Sequence, residues 1–362
     1  MRNFYFIITL FSLISFGQSN KDTYAFEASI LRGNVLPHTE DLYHLRGHPE
    51  SFMLSFLKQT HGAKEWHSAY NFPDYGVYLE YQNYQNQFLG QIVSAGMQYN
   101  FYFLHRNLEL KLSQGMAYAT TPYDKETNSK NKAFGSTLLA NTNIGLFYKK
   151  ENLIDKFGIQ AGFLFTHCSN GRTKSPNSGI NTFLVNVGVN YAFGDKNNRV
   201  LDTAALHKNY AERIHYNFIL RTGVNESPII GSGQHPFYHI GAYADKRFNR
   251  KSALQFGTEL FLTTSFIDFI KYKANAYPEL NLNPNTDYKR VGVFTGYELF
   301  VNKISLEAQL GYYVYQPFKN DIAIYDRVGF KYYLSKKMFT SFSVKTHLFL
   351  AEALEFGVGV RL

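Results

Sequence analysis

His167 and Ser169 stand two residues apart in the stretch FTHCSNGRTKSPNSGIN, residues 165–181, and Asn181 closes it. An imidazole beside a hydroxyl can take its proton while the serine oxygen attacks an ester carbonyl, and a third group must hold the ring in one tautomer. The amide carbonyl of Asn181 can accept from the ring N–H in that role, although it brings no charge to steady the imidazolium. The oxygen that becomes negative during attack needs donors, and the backbone and side chain of Asn170, the N–H of Gly171 and the amide of Asn177 are the candidates. Arg172 and Lys174, in the same link, are cations able to pair with phosphate groups of a lipid. An isolated His-x-Ser is weak evidence, because polar residues are common at strand ends; the full set is what gives it weight.

Such a site needs all three side chains on one face. Residues 157–169 split by parity into two rows. Phe157, Ile159, Ala161, Phe163 and Phe165 lead into His167 and Ser169, whereas Gly158, Gln160, Gly162, Leu164, Thr166 and Cys168 form the other row. In a strand, alternate side chains share a face, so the His and Ser continue an apolar row and Cys168 points the opposite way as a small filler. The next run, 181–193, alternates in the same manner, with Asn181 heading its apolar row through Phe183, Val185, Val187 and Val189.

The same alternation recurs over residues 91–103, 254–264 and 304–316. Short turns at 105–107, 249–251, 302–303 and 336–337 alternate with long polar links at 121–134, 170–179, 226–236, 267–289 and 317–325. Long two-faced strands with short turns on one side and long loops on the other predict an all-β protein, a closed antiparallel transmembrane β-barrel of about 14 strands, with roughly 12 to 16 allowed. Residues 18–362 are expected to form a single barrel domain, with 34–90 an insertion or extra short strands near 52–58 and 75–81. The link 194–213 is anomalous, being long on the short-turn side. In a barrel with a polar lumen, the apolar row faces lipid, which puts the trio on the outer wall at the long-loop, extracellular end.

Composition agrees with this class. The chain has 28 Tyr and 33 Phe against one Trp, and a mean hydropathy of -0.28, as expected for a sheet that is apolar on one face only. Residues 1–17 read as a secretory signal peptide, with one basic residue, an apolar block and small residues before the cut. The single Cys168 excludes an intramolecular disulfide framework and any multi-cysteine metal site. Most of the twelve histidines sit singly in polar links, and no metal site or cofactor is expected. No nucleotide-binding or soluble-hydrolase motif is present, and no nucleic-acid partner is expected. The formal charge of +9 would favour an anionic membrane surface or a phosphorylated glycolipid. The cluster His61, Lys64, Glu65, Trp66 and His67 reads as an interfacial loop or plug.

Across these residues the sequence resembles the lipid A 3-O-deacylase family, outer-membrane barrel esterases that share H-x-S-N followed by P-N-x-G-I. The matching residues are His167, Ser169, Asn170, Pro176, Asn177, Gly179 and Ile180. The resemblance implies that His167 is the base and Ser169 the nucleophile; the family's third member, a glutamate in its best-known representatives, falls on Asn181. It further implies lipid A or lipopolysaccharide as substrate, the outer membrane as location and an active site at the outer leaflet. Outer-membrane phospholipase A is similar over His167, Ser169, Asn170, Gly171 and Arg172 and uses a His-Ser-Asn trio. That second resemblance implies a phospholipid substrate and calcium, for which no ligands are recognisable. A third reading is a non-catalytic pore or binding barrel, and the oligomeric state is left open. The close motif spans only 166–181, but residues 21–193 have the length of a complete small deacylase barrel. The remainder, 213–362, matches the size of larger relatives known as acyloxyacyl hydrolases.

Overall fold

Each run of alternating polarity forms a strand in the computed structural model, which describes residues 23–193, 210, 212–348 and 350–362. The expected signal peptide, 1–17, lies outside the described residues. The first eight strands are β1 (Thr23–Leu36), β2 (Glu50–Gln59), β3 (Asp74–Asn83), β4 (Gln91–Phe103), β5 (Leu108–Ala119), β6 (Leu138–Ile154), β7 (Phe157–Ser169) and β8 (Ile180–Phe193). The second eight are β9 (His215–Glu226), β10 (Gln234–Arg247), β11 (Ser252–Thr263), β12 (Arg290–Val301), β13 (Ile304–Tyr315), β14 (Ile324–Tyr333), β15 (Met338–His347) and β16 (Leu350–Arg361). One short helix matters below, α1 (Glu65–Ala69).

The expectation of closed antiparallel strands holds, but the single barrel of about 14 strands becomes two closed barrels of eight, β1–β8 and β9–β16. β1 pairs with β8 from Tyr24↔Phe193 to Leu36↔Asn181, which closes the first sheet before the second begins. β16 returns to β9 from Phe356↔Thr222 to Arg361↔Asn217. Alternation assigns two faces to every strand, yet it does not say which edges meet; that is why one closure and two look alike in sequence. Of the two readings of 34–90, the extra strands hold and the insertion does not: β2 and β3 cover 52–58 and 75–81, each paired with its neighbours. The anomalous link 194–213 lies mostly outside the described residues.

Eight strands leave an interior just wide enough for side chains to fill. In the first barrel, Glu27 accepts from Lys111 at 2.8 Å and Lys149 at 2.5 Å, and Lys149 also pairs with Glu109 at 2.9 Å. In the second, Arg327 bridges Glu355 at 2.6 Å and Glu259 at 2.7 Å, and Lys331 lies between Glu298 at 3.0 Å and Glu307 at 2.5 Å. These charges are buried, and pairing is what makes their burial tolerable; removing one member of such a pair costs about 3–5 kcal/mol. The outward rows are apolar, with Ile144, Phe163, Phe165, Val185 and Val187 among the exposed large side chains. Among the described residues no helix is long and apolar enough to cross a membrane.

The long links of the first barrel fold over its mouth. Leu42, Leu45, Tyr84, Leu89, Phe134 and Cys168 belong to one buried apolar cluster there, so Cys168 is the inward filler expected, with its sulfur accepting from Asn141 Nδ2 at 3.1 Å. On the short-turn side the two barrels touch near α1, which contains part of the His61–His67 cluster. The Tyr70 hydroxyl donates to the Phe300 carbonyl at 2.5 Å, Lys251 lies 4.7 Å from the Tyr70 ring centre, and Arg250 pairs with Glu65.

Candidate active site

β7 and β8 are antiparallel neighbours in a register that sets His167 directly opposite Asn181. Their side chains share the outward face, and His167 Nδ1 lies 2.7 Å from Asn181 Oδ1. With the Asn oxygen as acceptor, Nδ1 carries the proton and Nε2 is the basic nitrogen. Ser169 is two residues on from His167 in the same row and is only 7% exposed. Gly179 explains the tight cover. Its φ is +68°, and a Cβ there would stand 2.9 Å from His167 Cε1 and 3.0 Å from Ser169 Cβ. The chain therefore passes over the His and Ser with nothing but hydrogen at that position, a conformation and an approach that suit glycine alone.

The link 170–179 is built from side-chain-to-backbone bonds. The Asn170 N–H donates to Asn177 Oδ1 at 2.8 Å, and Asn170 Nδ2 donates to Ser136 Oγ at 3.0 Å and to the Lys174 carbonyl at 2.8 Å. Asn170 is thus engaged as a brace of the link, with its backbone and side-chain N–H groups committed. The Gly171 N–H and Asn177 Nδ2 are the other donors of the expected set. Gly171 and Arg172 both have positive φ, +60° and +63°. Ser178 and Gly179 donate their backbone N–H groups to the carbonyls of Lys132 and Ala133, each at 3.2 Å, which fastens the link to the neighbouring 120–137 loop.

The two cations of the link diverge. Lys174 is exposed. Arg172 sits on the side of the second barrel, where its charge acts on Asp321. Burial and the neighbouring Glu352 push the Asp321 carboxyl up, and Arg290, Lys345 and Arg172 oppose that shift.

Parity reading of the sequence missed two polar residues beside the trio. Going round the barrel, Asn181 faces His167, His167 faces Thr142, and Thr142 faces Gln114. The Thr142 hydroxyl donates to Gln114 Oε1 at 2.7 Å. Each interrupts an otherwise apolar outward row: Leu138, Ala140, Ile144 and Leu146 on β6, and Leu108, Leu110, Leu112 and Met116 on β5. That interruption was the available signal.

Among the described residues one group has the spacing of metal ligands, Asp321, His347 and Glu352. It lies in the second barrel, and Glu352 is already paired with Arg290 and with Lys345, the latter at 2.5 Å. A donor set so occupied by the protein's own cations is poorly suited to a divalent ion.

No curated protein matches the chain. A multiple mutant of the Rh. blastica porin is 11% identical, with 94% of this chain and 98% of that one covered, at a TM-score of 0.20. Acinetobacter baumannii OccAB3 is 10% identical over the same shares, at 0.22. The family described as Lipid A 3-O-deacylase (PagL) matches residues 50–190, and the one described as Acyloxyacyl hydrolase, C-terminal domain matches residues 214–362. Between them these matches take in most of each barrel, and the chain belongs to the PagL lipid A 3-O-deacylase and acyloxyacyl hydrolase family, ester hydrolases of the bacterial outer membrane.

Proposed function

We propose that this chain removes an ester-linked acyl chain from lipid A, with Ser169 as nucleophile, His167 as general base and then general acid, and Asn181 as the residue that orients the ring. The observation that carries this is the 2.7 Å bond from His167 Nδ1 to Asn181 on the outward row that Ser169 shares. It leaves Nε2 as the basic nitrogen, the one that can take a hydroxyl proton. Ser169 Oγ adds to the acyl carbonyl as its proton passes to His167 Nε2. The tetrahedral oxyanion is met by the Gly171 N–H and Asn177 Nδ2, and collapse expels the sugar alkoxide, which takes the proton back. Water then repeats the sequence on the acyl-enzyme and releases the fatty acid.

The place of the trio supports a lipid substrate. From Phe157 to Phe165 the outward row of β7 is apolar, about 20 Å of membrane height for a strand tilted by roughly 40°. His167 and Ser169 follow at the top, beside the long links. An ester at the glycerol or sugar level of the outer leaflet would reach them by lateral diffusion, its acyl chains against Ile144, Phe163, Phe165 and Phe183. Thr142 and Gln114 extend polar contacts along the headgroup level, and Lys174 is the exposed cation for a lipid A phosphate.

The third residue, Asn181, favours phospholipase A as a second reading, since a His-Ser-Asn trio is that enzyme's set. Its calcium requirement finds no carboxylate in the row of His167, Ser169, Thr142 and Gln114, and the group of metal-ligand spacing among the described residues lies in the second barrel. The pore reading is opposed by the ion pairs that fill both lumens.

Mass spectrometry of lipid A and phospholipids from cells expressing the wild type or Ser169→Ala, with and without chelator, tests the reading. Loss of one hydroxyacyl chain is expected with the wild type alone and regardless of chelator, the substitution costing a factor on the order of 10³ or more in rate. Serine-dependent, chelator-sensitive lysophospholipid would transfer the chain to the phospholipase class. Identical lipids from both strains, with folded barrels present, would remove the catalytic reading.

A further inference from the structure

We propose that the second barrel is a positioning part of the catalytic site, and that Glu226 is the residue through which it holds the link 170–179. This rests on the reading of Ser169 as nucleophile and of Gly171 and Asn177 as oxyanion donors. Such donors work only when their place is set within a fraction of an ångström before the substrate arrives.

One flank of the link is fastened to the first barrel by the Ser136, Lys132 and Ala133 contacts. The other flank is fastened to the second. Ser175 N–H donates to Glu226 Oε2 at 2.7 Å, and the Ser175 hydroxyl donates to the Ser227 carbonyl at 2.7 Å. The Glu226 N–H donates to the Arg172 carbonyl at 3.0 Å, and Gln234 Nε2 donates to the Thr173 carbonyl at 2.7 Å. Glu226 is 3% exposed, and its second oxygen takes the Gly233 N–H at 3.0 Å. Gly171 itself lies against β16: a Cβ there would be 2.8 Å from Leu354 Cβ.

The second barrel is shaped to receive this link. β9 extends to Glu226 and β16 begins at Leu350, yet their mutual pairing ends at Thr222↔Phe356. Above that point the backbone ladder gives way to a side-chain contact, Asn225 Nδ2 to the Glu352 carbonyl at 3.4 Å, and the Glu226 N–H bonds to Arg172 of the first barrel. A carboxylate accepting two N–H groups, one from each barrel, is a stronger tie than neutral bonds alone. Its bond to Ser175 falls six residues along the chain from Ser169 and five from Asn170, close enough to set the link's path and too far to touch an ester at Ser169. Glu226 is a positioning residue on this account.

The test uses the purified full-length chain with lipid A as substrate, comparing Glu226→Ala, Glu226→Gln, Gln234→Ala and, as a control on barrel contact alone, Tyr70→Phe, which removes only the bond to Phe300. Closure of the barrels is followed by heat-modifiable migration, and Ser169 reactivity by labelling with a fluorophosphonate. Glu226→Ala is expected to lower kcat and labelling about 10- to 100-fold with KM within about twofold. Glu226→Gln, which still accepts from Ser175, is expected to recover part of the loss, and Tyr70→Phe to match the wild type. Should Glu226→Ala not fold, Gln234→Ala carries the test, with an expected loss of a few-fold in kcat. Wild-type kcat in the folded alanine variant, or an equal loss in Tyr70→Phe, overturns the proposal. Activity retained by Ser169→Ala would instead overturn the catalytic reading beneath it.

Discussion

On the proposed mechanism, Asn181 decides how strong a base His167 can be. A carboxylate in its place would steady the imidazolium that forms as Ser169 gives up its proton, whereas the amide supplies orientation only. Asn181→Asp is therefore expected to raise kcat about tenfold near pH 8 and Asn181→Leu to lower it by roughly a hundredfold, both read from initial rates on lipid A. A carboxylate variant slower than the wild type would show that the amide donors of Asn181 have a task of their own. The shared row of His167 and Ser169 was readable from parity, because the pleat alone puts residues 157–169 into two rows, whereas the meeting with Asn181 came from the β7–β8 register. Asn170 was less so. Its donors are committed to Ser136, Lys174 and Asn177, and nothing in an H-x-S-N motif announces which partners a folded link will bring.

The links over the first barrel's mouth are short of regular structure and depend on a few side chains for their backbone bonds. Asn131 and Asn86 are the most heavily used, and Asn131 is the one beside the link. Its oxygen accepts the N–H groups of Ala133 and Phe134 at 3.1 and 3.0 Å, and its nitrogen donates to the carbonyls of Phe88 and Thr121 at 3.0 and 2.8 Å. It is fully buried, and truncation leaves those groups without partners at a cost of about 2–4 kcal/mol. Asn131→Ala is expected to lower the thermal midpoint and to open the 120–137 loop to protease while the strands stay paired. Activity should fall with it, since Lys132 and Ala133 hold Ser178 and Gly179 over the His and Ser. Unchanged proteolysis would mean that the apolar cluster around Phe134 suffices to keep the mouth shut.

The joined barrels carry a pH-sensitive contact at their short-turn ends. His67, in α1, is held down to about 4 by burial and by His61, Lys64 and Lys58 nearby. Its folded value lies below the ordinary 6.5, so the unfolded chain binds more protons between those limits. The contribution is fully present above about pH 6.5 and is lost as the pH falls towards 4. Thermal unfolding followed across that range should show a decline that His67→Gln flattens; equal slopes in the two proteins would discount this residue. The effect belongs to the assembly because α1 carries Glu65, the partner of Arg250 in the second barrel.

Strand identity, strand faces and the loop end that bears the trio were all legible in residue order, since each depends on the two-residue period of an extended chain and on nothing distant. The family motif was legible for the same reason, being contiguous. The number of closures was not, because it depends on β1 meeting β8 across residues 23–193 and on β9 meeting β16, and an edge carries no label for its partner. Glu226 was equally silent. It ends a strand of the second barrel and shows no local sign of its bond to Ser175, which exists because the β9–β16 ladder ends at Thr222↔Phe356 and the link from β7 lies against both strands beyond it.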